Sequence, residues 1–299
     1  MGRGGVAVVR PRDLVALVVL GAVWGASFLF IRVAAPALGP FPLMGTRVVL
    51  AALALAPFVL ALGRFPEVRE RWRQFLFVGV LNGAIPFSLI AFAETEITAS
   101  LAAILNSTTV LFSVLVAAAW FGDPLTAKRI FGVALGISGV AVLVGLDPMP
   151  LNGGVGVALG AMFLGSFCYA LGGNYVKRTF SGVRPLTMAF GQQAGAAALL
   201  LPLGVATLPG EAPSAPVALS ALGLALLSTA FAYLLFFALI ARVGATSTLT
   251  VTFLSPGFGV LFGVVLLGEP FGLGTVLGLG IVLLAVALVT GVGPGRAKG

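Results

Sequence analysis

Residues Ala99 to Gly145 read ASLAAILNSTTVLFSVLVAAAWFGDPLTAKRIFGVALGISGVAVLVG, two long apolar runs joined by a tight turn at Gly122-Asp123-Pro124. A turn of the same kind, Gly268-Glu269-Pro270, joins two more apolar runs between Ala245 and Gly291, at an offset of 146 residues. The recurrence of one turn between two pairs of apolar runs implies a duplicated helical hairpin. The solvent of such a hairpin follows from composition. Of 299 residues, 60% are hydrophobic and 9% charged, with a mean hydropathy of +1.15. Soluble domains carry about 25% charged residues, so this chain cannot clothe a water-facing surface, and a lipid bilayer is its natural partner.

The net charge of +8 does not point to nucleic acid, because the bases are scattered over short loops instead of gathered on one face. Cytoplasmic loops that collect Lys and Arg explain the same charge. There is no histidine and one cysteine, Cys168, in an apolar run. An intramolecular disulfide is therefore impossible, and the commonest metal ligand and general base is missing. No metal, cofactor or catalytic residue is expected. An intramembrane enzyme would need an acid–base pair at matched depth, and no candidate pair lies within a span. The basic N-terminus precedes an apolar segment, Leu14 to Ile31, that is too long for a signal-peptide core and has no cleavage site after it.

Runs of about 20 apolar residues predict ten spans: 14–34, 42–62, 74–93, 98–121, 127–146, 153–176, 186–206, 217–240, 246–267 and 272–292. Turn signals separate several of them, at Gly39-Pro40-Phe41-Pro42, Asp147-Pro148-Met149-Pro150, Pro209-Gly210 and Pro213. With the N-terminus in the cytoplasm, fifteen of the seventeen bases fall in cytoplasmic segments. The other two, Arg32 and Arg47, lie inside spans, and the outer loops hold Glu94, Glu96, Asp147, Glu211 and Glu269 but no base. That asymmetry predicts an inner (plasma) membrane protein with both termini cytoplasmic and an even span count.

The repeat reaches beyond the hairpin. At an offset of 145, Trp24-Gly25 meets Tyr169-Ala170, Arg32 meets Lys177, Arg47 meets Gln192 and Pro57 meets Pro202. At 146, Asn82 meets Ser228 and Phe87 meets Tyr233. Five spans per copy is an odd number, so the second copy enters the membrane upside down. Two inverted repeats, 12–147 and 148–295, are the expected units. Inverted repeats around a midplane site are the recurring architecture of secondary transporters.

Trp24 to Phe28 (WGASF), Pro40 seven residues before Arg47, and the Gly-acid-Pro hairpin followed in the first copy by LTAKRIFGVALGISGV resemble the EamA branch of the drug/metabolite transporter superfamily. The resemblance covers roughly 14–146 and 153–292, with Tyr169 standing where the first copy has Trp. It implies an all-α membrane protein of ten transmembrane helices, alternating access, and export or exchange of small metabolites such as amino acids. A non-transporting scaffold or regulator is the alternative.

Residues for a substrate pathway are the polar and aromatic groups within spans. Arg47, with polar Gln192 as its repeat mate, either holds a substrate carboxylate bidentately or satisfies helix-end carbonyls. Arg32 lies near a span end and can snorkel. Asn106, Thr109 and Ser113 are spaced three and four apart, along one face of the fourth helix, and the second copy offers Thr252, Ser255 and Gly259. Asn82 precedes Pro86 by four residues, and an unpaired amide in hydrocarbon is costly. Trp24, Tyr169 and Tyr233 supply rings, whereas Phe87 reads as aromatic core packing. The competing role for the hydroxyl groups is packing between helices. The hairpin acids Asp123 and Glu269 each stand just before a proline that opens the next span, where an acid offsets the helix dipole. Glu94 and Glu96 read as solvated loop acids. The glycines Gly272 to Gly280 have no strand before them and read as helix packing, not as a nucleotide loop.

Overall fold

The computed structural model describes residues 10–146, 152–248 and 250–290, without the side chains of 121 and 245–247. The turn expected at Asp147 to Pro150 and the bases Arg3, Arg296 and Lys298 lie outside the described residues. The described chain folds into apolar helices in this order: α1 (Pro11–Leu38), α2 (Pro40–Ala61), α3 (Trp72–Glu96), α4 (Ala99–Asn106 and Thr108–Phe121), α5 (Ala127–Leu146), α6 (Gly153–Thr179), α7 (Pro185–Ala206), α8 (Ala215–Gly244), α9 (Val251–Leu267) and α10 (Leu273–Thr290). A short helix, Phe65–Glu70, links α2 to α3. All but α9 are long and apolar enough to cross a bilayer. The span expected at 246–267 is a helix only from Val251, because the stretch up to Thr248 runs on from α8 through a kink at Gly244 (φ 83°, ψ 161°).

Local chemistry sets the ends. Proline stands in the first turn of α1, α2 and α7, where its missing N–H costs nothing. Side-chain caps open two other helices. The Thr98 hydroxyl accepts from the Leu101 N–H at 3.2 Å to open α4. The Asn152 side chain accepts from the Val155 N–H at 2.9 Å to open α6. The two hairpin turns have one geometry. Gly122 and Gly268 both adopt the left-handed conformation, with φ of 71° and 67°. A side chain would strain either position. The next N–H then reaches six residues back, Asp123 to the Ala117 carbonyl (3.2 Å) and Glu269 to the Gly263 carbonyl (3.1 Å).

A second pair of equivalent irregularities lies within the helices. α3 widens to a π-helix at Val80–Ala84, and α8 does so at the matching place in the second repeat, Leu226–Phe231. The local causes differ. In α3, Pro86 removes an N–H and crowds the turn before it, whereas in α8 the Thr229 hydroxyl donates five residues back, to the Leu224 carbonyl (2.7 Å). Such bulges mark functional positions in many helices.

Packing crosses between the repeats. α2 lies on α7 and α5 on α10; α1 packs on α8 and α9 just as α6 packs on α3 and α4. Within each opening hairpin the two helices touch each other far less than they touch the opposite repeat. Gly132, Gly136 and Gly139 of α5 let α10 approach along Ile281, Ala285 and Val289, and Gly278 of α10 seats Leu143. Small residues at a transmembrane interface favour such close approach. The fold is two inverted five-helix repeats whose helices exchange partners, with the shared core between them.

Candidate functional site

Arg47 is the cation at the centre of that core. It projects from α2, is 5% exposed, and donates through Nε to the Thr229 hydroxyl at 2.8 Å. Its guanidinium carbon stands 3.6 Å from the centroid of the Phe87 ring. A cation at this depth costs about 2.5–3.5 kcal/mol on insertion scales, and the ring face and one hydrogen bond offset part of it. Nη1 has a methionine sulfur, Met44, at 3.9 Å, a weak acceptor. Among the described residues no carboxylate lies within ion-pair distance of Arg47. The guanidinium thus has capacity for an anion, and it does not cap helix-end carbonyls. That second role belongs to Arg32, whose Nη1 donates to the Glu94 carbonyl and to the Thr95 carbonyl (3.3 Å) at the end of α3.

The rings around Arg47 obey the repeat. Phe87 and Tyr169 meet edge to face at 6.2 Å and 64°. Tyr233 and Trp24, their repeat mates, meet at 5.9 Å and 66°. Arg47 lies over Phe87, whereas its mate Gln192 is buried in the second repeat. One half of the pseudo-symmetric site therefore carries a charge, and the other an amide. Gln192 Nε2, both polar atoms of Gln193, and Asn82 Oδ1 are buried without a hydrogen-bond partner. Asn82 approaches α6 so closely that a Cβ on Gly172 would come within 2.1 Å of its Oδ1. Buried amides with open valences are rare, because an unpaired polar group away from water is costly.

The α4 residues do not act as one face. The helix breaks at Ser107, between Asn106 and Thr109. Asn106 Oδ1 and Thr109 Oγ1 are buried and unpartnered beside the break. Ser113 is engaged elsewhere: Asn174 of α6 donates to its hydroxyl at 3.0 Å and to its carbonyl at 3.1 Å, which ties α4 to α6. Thr252 and Ser255 are half-buried on α9, where the Ser255 backbone meets α1 at Gly25. Sequence reading missed Thr229 and Asn174. Thr229 sits one residue after Ser228, the repeat mate of Asn82, so the repeat was the signal that would have found it.

The acids depart most from expectation. Glu269 does not cap the helix that follows it. Its carboxylate accepts from the Ala99 N–H (2.7 Å), the Ser100 N–H (2.9 Å) and the Ser100 hydroxyl (2.5 Å), and so caps α4 in the other repeat. Gly263 makes room for this latch, since a Cβ there would lie 2.3 Å from Glu269 Oε2. Asp123, the equivalent acid, lies 3.9 Å from Arg178 with its side chain 39% exposed. Glu96 is exposed as expected, but Glu94 is wholly buried and neither carboxylate oxygen has a hydrogen-bond partner.

The EamA-like transporter family model matches twice, at residues 13–145 and 156–291. The chain belongs to the EamA-like transporter family. An uncharacterized inner membrane transporter, YedA of Escherichia coli (strain K12), is 29% identical over 92% of this chain and 89% of its own length. A probable terminal-alkyne amino-acid exporter of Streptantibioticus cattleyicolor is 30% identical over 85% of each chain. A protein of known crystal structure shares the fold at a TM-score of 0.68, with 16% identity and coverage of 93% of this chain and 96% of that one. The polar core between two inverted repeats is accordingly that of a multi-pass membrane transporter.

Proposed function

We propose that the chain is a secondary transporter that exports or exchanges small organic metabolites, amino acids among them, by alternating access between its repeats. The observation that carries this reading is the unequal state of two equivalent places. On the Glu269 side the Ala99–Asn106 segment packs against α9 and is latched by three hydrogen bonds. On the Asp123 side, among the described residues, the Thr108–Phe121 segment makes no packing of comparable extent against α8 or α9. A pseudo-symmetric molecule caught with one end latched has a second state in which the other end is latched.

The distribution of bases supports an Asp123 side in the cytoplasm and a Glu269 side outside, with both termini cytoplasmic in the inner membrane. This state is then closed outward. In the opposite state Asp123 takes the role of Glu269. It would cap the chain at Ala245 and Thr246, the repeat mates of Ala99 and Ser100, while Glu269 lets go. Arg47 holds the substrate carboxylate, flanked by Trp24, Tyr169, Gln192 and Tyr233. Asn82, Asn106, Thr109, Thr252 and Ser255 lie along the path, and Ser113 steadies its wall. The name of the Streptantibioticus relative supports both amino-acid substrates and outward transport.

The test is counterflow of a panel of radiolabelled amino acids in proteoliposomes, with and without a pH gradient. Wild type is expected to exchange at least one class. Arg47→Ala is expected to abolish flux of carboxylated solutes with insertion intact. Absence of flux across the panel, or unchanged flux in the variant, overturns the reading.

A further inference from the structure

Glu94 has no role in anything described so far. It lies at the end of α3, fully buried, with both carboxylate oxygens lacking a hydrogen-bond partner. An isolated carboxylate is among the most costly groups to bury, and intramembrane acids mark functional positions. Among the described residues no base lies within ion-pair distance of it. Arg32 spends its guanidinium on the main-chain carbonyls of Glu94 and Thr95. Glu269, the other acid acting on it, is spent on the latch and repels it. Arg47, the other buried charge of the core, has no carboxylate partner either.

The helix relates these two. Phe87, under the Arg47 guanidinium, and Glu94 are seven residues apart on α3, which places them on the same face about 10.5 Å apart along the axis. One buried cation and one buried anion thus share a face of the core, too far apart to pair directly. A zwitterion offers each its complement, a carboxylate for the guanidinium and an ammonium for the carboxylate. We propose that Glu94 binds the ammonium group of a zwitterionic substrate whose carboxylate is held by Arg47, so that the site selects α-amino acids over the corresponding carboxylic acids and amines. The proposal rests on the transport reading above and names the substrate class of the same site.

The test compares three matched probes in proteoliposomes: leucine, 4-methylpentanoate, which lacks the amine, and isoamylamine, which lacks the carboxylate. Each competes against whichever labelled amino acid wild type exchanges, or against labelled leucine where none is exchanged. Wild type is expected to bind leucine at least about tenfold more tightly than either analogue, a factor set by one lost charge-assisted contact. Glu94→Gln is expected to remove the discrimination between leucine and 4-methylpentanoate and to keep competition by the latter. Arg47→Ala is expected to lose both. Wild-type flux with equal competition by leucine and 4-methylpentanoate overturns the ammonium site and leaves transport standing. The ammonium site falls in the same way if Glu94→Gln keeps the preference and instead loses dependence on the pH gradient, which makes Glu94 a proton site. No flux or competition by any amino acid overturns both readings. If Glu94→Gln fails to fold, Glu94→Asp replaces it: weaker competition by leucine with that of 4-methylpentanoate unchanged is expected, and unchanged competition by both overturns the ammonium site.

Discussion

The two hairpin turns are the same structure doing different things. Gly122 and Gly268 share a left-handed conformation, and the acid after each donates its N–H six residues back. Beyond the backbone they part. Glu269 reaches across the molecule to three donors on Ala99 and Ser100, whereas Asp123 faces Arg178 at 3.9 Å with much of its side chain in solvent. On the alternating-access reading proposed above, a turn shared in form between the repeats but not in contacts is a carrier held in one of its two states. The structural part, the turn, obeys the symmetry; the working part, the latch, breaks it.

The comparison can be broken most severely by making one latch permanent. In a Cys168→Ser background, Ser100→Cys with Glu269→Cys, joined by a short reducible bifunctional methanethiosulfonate, is expected to reduce flux to background, and reductant is expected to restore it. Flux that persists through the cross-link would mean that the Glu269 side need not open. A smaller effect is expected from Gly263→Ala. The new Cβ would stand 2.3 Å from Glu269 Oε2 and 2.4 Å from the Ser100 hydroxyl, so the latch must give way. Loss of a charge-assisted cap worth about 1–2 kcal/mol shifts the balance toward the outward-open state roughly tenfold, read as labelling of a Ser100→Cys reporter from outside. Its twin position already carries Ala117, so Ala117→Gly, which makes room for the Asp123 latch, is expected to raise that labelling. The smallest effect on stability belongs to Asp123→Asn. Its ion pair is exposed and spans 3.9 Å. Such a pair contributes at most about 1 kcal/mol, and a thermal-unfolding midpoint near that of wild type is expected. The same variant should bias the carrier against its outward-open state and slow exchange, an effect a merely capping acid would not produce.

How much of this was legible in sequence depends on the range of the forces involved. The ten spans, the hairpin turns and the burial of Arg47 follow from hydropathy and turn chemistry, which act locally. The misreadings are of longer range. Glu94 reads as a loop acid because the apolar run stops at 93, yet α3 continues to Glu96 and turns Glu94 inward. Glu269 reads as a cap for its own following helix because local sequence carries no sign of Ala99 and Ser100, which lie 170 and 169 residues away. Asn106, Thr109 and Ser113 read as one face because helical periodicity does not register the break at Ser107. The repeat was the one long-range signal available. It relates the Phe87–Tyr169 and Tyr233–Trp24 pairs and the two π segments, but it cannot tell which of two equivalent latches is closed.

The most direct measurement is therefore on the latch that this state leaves unmade. In the Cys168→Ser background, Asp123→Cys paired with Thr246→Cys is treated with the same cross-linker in membranes, and a third cysteine at Ser100 is then probed from outside with an impermeant maleimide. Alternating latches predict that the cytoplasmic pair cross-links, that flux stops, and that Ser100→Cys becomes more reactive than before cross-linking. A cytoplasmic cross-link that leaves Ser100→Cys protected, with flux continuing, would contradict the exchange of latches between the two repeats.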